Sequence, residues 1–370
     1  MALPASGLIQ IYSNTMKLRP DYKNVISRTK AFIDSSRRGT AIIQVLGAEG
    51  ISLAPSKPLE KWKLPDEMIP YIDDRVAAVV RFWEQRQGLD DDLISAVAPW
   101  YGIAEHTAFL GGEVEFTGGT SFNHQILTDW NDFDKLKLDE NHPWLRMVID
   151  GIKHCREKWG EMFAAKLRGA DGPMDIANIV RGNDLFTDVY DHPDELHKLM
   201  DFCASAVRFT MDRQLKEATI LEGGVISGFD IWLPLTCCGH LSDDASCMMS
   251  VENYEEFGLP YMRKVCSAYE NVMLHTHSLG KKNLPQFATI PQIKWLQISS
   301  DPNSDRAIDV YREYESVLRD KIVVVELTHE EIENNLDLLK RNRTHIWHTA
   351  PSLEAAMETV ALVRKELPFA

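Results

Sequence analysis

A chain of 370 residues with 44% hydrophobic and 26% charged side chains can bury a sizeable core, and its mixed charges exclude a disordered polymer. Its 55 acidic against 40 basic residues give a net charge of -15, which argues against nucleic acid or an anionic membrane as partner. Six scattered cysteines lack the spacing of a disulfide scaffold, the first twenty residues lack a secretory pattern, and no stretch approaches the ~20 apolar residues of a membrane helix, so a cytoplasmic enzyme with free thiols is expected.

Residues 1 to 38 read as an N-terminal helical extension in which SRTKAFIDSSRR carries an apolar stripe and stops before Gly39. TAIIQVLGAEG supplies a first strand. Its exit, with Gly47 and Gly50, is not a GxGxxG loop, and the Pro-rich SLAPSKPLEKWKLP that follows opens no helix. Residues 66 to 87 form an amphipathic helix. Beyond it come a short strand, a loop carrying Trp100 and Tyr101 as candidate substrate contacts, a helix, and a strand entering a turn at Gly118 and Gly119. The polar and aromatic stretch 120 to 144 fits either an active-site loop or a solvated connection. Helix 144 to 160 leads into FAAKLRG, a strand, and GPMDIA, a turn that starts a helix; Arg168 and Arg181 flank it as candidate partners for substrate carboxylates. Another helix, from Asp184 to Phe202, has Pro193 in a first turn. GGVISGFDIWLP is expected as the fourth strand, and TCCGHLSDDASC as a long irregular loop after it.

Four segments then repeat one design: NVMLHTHSLG (271 to 280), IKWLQISSD (293 to 301), KIVVVEL (321 to 327) and THIWHTA (344 to 350). Each is an apolar or β-branched run ending in polar side chains, with helical patterns between. Strand then helix, repeated, predicts a TIM-type (β/α)8 barrel running from 39 to 370 as one domain, with catalytic groups on the rim at the strand C-termini. His275, His277, Glu326 and His348 are the candidate metal ligands on that rim. The two histidines, separated by Thr276, are read as needing a frayed strand end to reach one ion. Zinc suits such a set because a catalytic site uses three nitrogen, sulfur or carboxylate ligands and keeps a fourth position open. Cys237, Cys238 and His240 lack a zinc-ribbon spacing and read as structural, although His240, Asp243 and Asp244 are also candidate catalytic groups, the paired acids for general acid and base work. No GxSxG elbow, HExxH helix or P-loop is present.

From about residue 95 onward the chain resembles the uroporphyrinogen decarboxylase superfamily and, within it, the cobamide-dependent methyltransferase branch. The resemblance rests on AFLGGEVEF, on GPMDIANIVRGNDLFTDVYDHPDELHKLMDF, on the acidic loop and helix of SDDASCMMSVENYEEFGLPYMRKV, and on VMLHTHSLG, which stands where relatives carry an LHxCG strand end. It implies a TIM-type barrel with zinc at His275, His277 and His348, histidine replacing both cysteines of the relatives' ligand sets. Histidine and carboxylate ligands suit an oxygen substrate better than a thiol, which adds weight to Glu326. The resemblance therefore implies transfer of a methyl group from a small methylated donor, an aryl methyl ether being one candidate, to a separate corrinoid protein, because this chain lacks a DxHxxG corrinoid signature. The alternatives are a metal-free decarboxylase or lyase using Asp243, Asp244 and arginines, although the RQAGR segment of the decarboxylases has no counterpart here, and a non-catalytic barrel that binds a corrinoid or tetrapyrrole. The oligomeric state is left open.

Overall fold

The computed structural model describes residues 17–49, 53 and 55–369, so residues 1 to 16 of the expected extension, and Gly50, lie outside the described residues. Its barrel strands are β1 (Thr40–Ala48), β2 (Ala96–Val97), β3 (Ala164–Ala165), β4 (Ala170–Asp171), β5 (Cys237–Ser242), β6 (Asn271–His277), β7 (Ile293–Ser299), β8 (Ile322–Glu326) and β9 (Arg343–Ala350). Seven of them make one parallel sheet in the order β1-β9-β8-β7-β6-β5-β4. β3 and β4 are two pieces of one segment, β3 pairs in parallel with β2, and the Asp92 amide donates to the Ile43 carbonyl at 2.7 Å to join the β2 segment to β1. The circuit closes as a (β/α)8 barrel of the TIM type. Its strands are buried on both faces because helices cover the outside, which is why they read as continuous apolar runs.

Prolines mark the starts of several outer helices, including Pro143–Trp159, Pro173–Arg181 and Pro193–Glu217, where a missing N–H costs nothing. Helix Tyr22–Asp34 packs Val25 and Ile26 against Ile94, Ala164, Ile226 and Trp232, under β2 and β3; each such burial contributes on the order of 2 kcal/mol. Among the described residues no helix is long and apolar enough to cross a membrane.

Two expectations are corrected. GGVISGFDIWLP is not a barrel strand but an antiparallel hairpin, Gly224–Ile226 with Trp232–Pro234, whose tip enters the barrel. CCGHLS, expected as part of an irregular loop, is β5 and is buried at every position. Cysteine, glycine and histidine carry no strand preference, but a strand packed on both faces selects small side chains that fit rather than β-branched ones. The stretch from 120 begins as strand Thr120–Asn123, paired with Val114–Thr117 across Gly118 and Gly119. Their φ values of 59° and 80° fit the type I′ turn of a two-residue hairpin.

Candidate metal centre

Strand register decides which side chains look into the barrel. Partners across a parallel pair point to the same face. Asp171, Ser242, His275, Gln297, Val324, His345 and Ile42 are linked in register as one interior layer. Toward the strand C-termini, His277 pairs with Ser299, and Glu326 with Trp347, whose partner is Gln44. His275 and His277, two residues apart, therefore share the inner face of a regular strand, and no fraying is needed; the expectation that they diverge is corrected by the two-residue period.

The Nε2 atoms of His275 and His277 lie 3.2 Å apart, and the Asp244 carboxylate stands 3.5 Å from the first and 3.6 Å from the second. Each imidazole is turned by an acceptor behind it: Nδ1 of His275 meets Gln297 Oε1, and Nδ1 of His277 meets Asp301 Oδ1 at 2.7 Å. With Nδ1 donating, both Nε2 lone pairs face each other and an anion. Three acceptors without a donor between them make a candidate cation site. Ligand bonds of 2.0–2.1 Å in a tetrahedral zinc shell put neighbouring ligand atoms about 3.3 Å apart, close to the separations here. Asp244 Oδ1 is buried without a hydrogen-bond partner, and Asp244, His275 and His277 form the one potential metal cluster among the described residues. In the bare protein a proton answers the same need: Asp244, with Asp301, lifts the pKa of His277 to about 9, while burial lowers that of His275.

The support of this cluster is local. Asp175, in the first turn of helix Pro173–Arg181, accepts the Asp244 amide at 3.0 Å and the Ala245 amide at 2.7 Å and so fixes the turn that aims Asp244. Asp301 also accepts the Leu279 amide at 2.9 Å and the Ser278 hydroxyl at 3.1 Å. Carboxyls crowd the place. Burial, then Asp244 and Glu105, raise Asp171 to about 8, and burial with the neighbouring acids lifts Asp175 well above its ordinary range. A divalent cation would relieve that accumulation of negative charge.

The other residues singled out from sequence fall elsewhere. Asp243 points away from the barrel, where its carboxyl accepts the Tyr254 hydroxyl; burial, opposed by that bond, raises it to about 7. His240 lies below His275 on β5, not on a loop, with its ring stacked on Phe229 at 4.0 Å and its pKa held well below the usual value by burial. Glu326 stands exposed on the rim and accepts the Thr349 hydroxyl at 3.1 Å; it is not part of the cluster. His348 alternates with inward-facing Trp347, so it turns outward and binds the Leu327 carbonyl through Nδ1 at 2.8 Å. Arg181 is spent on structure. Its guanidinium contacts Asp188 at 2.6 and 3.4 Å, donates to the carbonyls of Leu127 and Thr128, and lies 4.8 Å over Trp130. Tyr101 is fully buried with its hydroxyl on the Met147 carbonyl, and Trp100 lies under the Arg168 guanidinium at 4.9 Å. Arg168 itself is paired with buried Glu105. Cys237 and Cys238 are sealed in β5, where burial pushes the Cys237 thiol up to about 12.

Sequence reasoning passed over Gln297, Asp301, Asp175 and Asp171. The signal for the first was present: a glutamine in the middle of an apolar strand must find a buried partner. The other three act through backbone turns and register, which only the fold brings together.

These features define a parallel (β/α)8 barrel with a candidate three-ligand cation site at the C-terminal rim. Residues 96–325 match the uroporphyrinogen decarboxylase (URO-D) family, and the chain belongs to that family. Among solved structures the chain is similar to a methyltransferase from Methanosarcina mazei, at 14% identity and a TM-score of 0.61, over 92% of this chain and 98% of that one. No curated protein sequence matches.

Proposed function

We propose that this chain is a cytoplasmic zinc-dependent methyltransferase that moves a methyl group from a small methylated donor, an ether of the aryl methyl type, to a separate corrinoid protein. The observation that carries the reading is the convergence of Asp244, His275 and His277, with both rings oriented from behind by Gln297 and Asp301. Such buttressing is what metal-binding histidines require. The solved methyltransferase of similar fold adds support.

In this reading Asp244, His275 and His277 hold the metal. Bound there, zinc would supply Lewis acidity at the donor's oxygen, lowering the basicity of the departing group. The chain's own residues do the positioning. Gln297 and Asp301 keep both Nε2 atoms turned inward, and Asp175 holds the Asp244 turn. Phe229 and Trp347 form an apolar wall at the inner face, which excludes water from the donor and fixes its approach. The decarboxylase reading loses support because Asp243 and Arg181, on which it leaned, are engaged away from the barrel interior.

The test is metal analysis of the purified protein together with methyl transfer. The reading expects about one zinc per chain. It also expects loss of transfer in His277→Ala with an unchanged fold. Full transfer after exhaustive metal removal would overturn it.

A further inference from the structure

Two buried arginines flank the GPMDIA turn, and they are used differently. Arg181 is engaged through all three guanidinium nitrogens, on Asp188 and on the carbonyls of Leu127 and Thr128. Arg168, 6% exposed, spends only Nε, on Glu105, while its face lies over Trp100 at 4.9 Å. Its Nη1 and Nη2 meet no acceptor among the described residues. Unlike Nη1 of Arg86, which is sealed in without a partner, they keep access to solvent. The N–H groups of a nearly buried cation are costly to leave unpaired, so a free guanidinium edge here points to an anionic ligand.

That edge is held in place from several sides. Glu105 accepts the Tyr101 amide at 2.7 Å as well as Arg168 Nε, and the Arg168 amide donates to Gln214 Oε1 at 2.8 Å. Next to Glu105, His106 is 8% exposed and hydrogen-bonds no described residue; burial and the Arg168 charge hold its pKa at about 3, so its ring is neutral and has an N–H to give. His106 stands edge-on to His240 at 5.7 Å between centroids, His240 stacks on Phe229 at 4.0 Å, and Phe229 meets His275 at 5.2 Å. Phe229 and Trp100 both keep exposed surface, so the interior beside the guanidinium is not filled. The free edge of Arg168 and the Nε2 atoms of His275 and His277 thus belong to one interior, with the Phe229 ring between them.

We infer that Arg168, with His106 beside it, anchors a carboxylate on the methyl donor, so that the substrates are aryl methyl ethers with an acid group remote from the methoxy; this rests on the methyl-donor reading above. The guanidinium would bridge two carboxylates, Glu105 through Nε and the donor through the Nη edge, whose fork matches two carboxylate oxygens. Glu105 does not take the donor's place, because its own contacts run to the Tyr101 amide and to Nε. Pinned at its acid end, the ring would lie across the interior with its ether toward β6.

The test is calorimetric titration with ortho-methoxyphenol and with the same molecule carrying a carboxylate para to its hydroxyl, on zinc-loaded and on metal-depleted protein, zinc being measured on every sample. The acid is expected to bind at least about tenfold more tightly than the neutral ring, with or without zinc, because the anchor is not the metal. Arg168→Met alone would strand buried Glu105, so it is combined with Glu105→Gln, which keeps an acceptor for the Tyr101 amide. The pair should weaken the acid on the order of tenfold, leave the neutral ring within about twofold, and leave zinc content unchanged. Where that variant does not fold, the comparison of zinc-loaded with metal-depleted protein decides. Equal or weaker binding of the acid, no binding of either ring, a preference that vanishes with the metal, or one that survives in the paired variant overturns the inference and leaves the zinc reading standing. Acid preference in a protein that takes up no zinc overturns the zinc reading alone.

Discussion

Replacing Asp301 by alanine removes the acceptor behind His277 without touching any group that would bind the metal. In the structure the His277 Nδ1 to Asp301 Oδ1 distance is 2.7 Å, and the second oxygen of Asp301 ties down the Leu279 amide and the Ser278 hydroxyl. Loss of such a buttress lowers metal affinity by roughly 10- to 100-fold, about 1.4 to 2.7 kcal/mol. Two effects oppose each other here. The carboxylate orients the ring, but with Asp244 it also favours the protonated imidazole, with which a metal must compete. Asp301→Asn separates them, because its amide oxygen still accepts from Nδ1–H while the negative charge is gone; its loss is expected to stay under about tenfold. Competition for zinc against a chromophoric chelator at neutral pH measures both variants, with thermal unfolding as the control for the fold. Cobalt(II) substitution adds a spectrum that reports ligand geometry. An alanine variant with wild-type zinc affinity and an unchanged cobalt spectrum would refute the argument that Asp301 positions a metal ligand.

Asp175→Ala should release the turn that carries Asp244 and cost roughly tenfold in zinc affinity, by the same competition assay, with Asp175→Asn intermediate; no change in either would remove Asp175 from the site's support. Arg181→Ala strands buried Asp188 and should destabilise the fold by about 3–5 kcal/mol in urea titration, yet leave zinc uptake per folded molecule intact. Reduced zinc uptake by the folded fraction would return Arg181 to the site. His345 sits fully buried with both ring nitrogens unpaired, and burial, partly offset by Asp92, holds its pKa at about 4 against 6.5 when free. The folded ring thus stays neutral where the unfolded one gains a proton, so its contribution is present above about pH 6.5 and is lost as the pH falls toward 4, amounting to about 2 kcal/mol between pH 7 and pH 5. His345→Gln should shrink the difference in unfolding free energy between those two pH values by about that amount; an identical difference in both proteins would show that the ring does not report burial.

The barrel was readable because its C-terminal half repeats apolar runs such as KIVVVEL, whose burial on both faces leaves the same mark in composition as in space. β5 was not readable, since CCGHLS has nothing that favours a strand by itself and is defined only by its neighbours β4 and β6. At the site, His275 and His277 announced themselves as two histidines at a strand end, and Asp244 as one of a pair of acids. Which of that pair faces inward depends on where β5 stops, a matter of one residue, and Asp243 turns the other way. Glu326 and His348 looked equivalent to the histidines of β6 in sequence. Alternation sends His348 behind the sheet, and strand order puts Glu326 on β8, with β7 between it and β6.

The inserted hairpin has a consequence for how this protein could be altered. The metal ligands come from the end of β6 and the turn after β5, whereas the floor beneath them comes from Phe229 on a hairpin that forms no strand of the barrel. The packing beneath the candidate ligands therefore sits on a separate module from the ligands themselves. Grafting hairpin tips of different length or side chain between Ile226 and Trp232 offers a way to change what packs beneath the candidate ligands while β6 and the turn after β5 stay as they are.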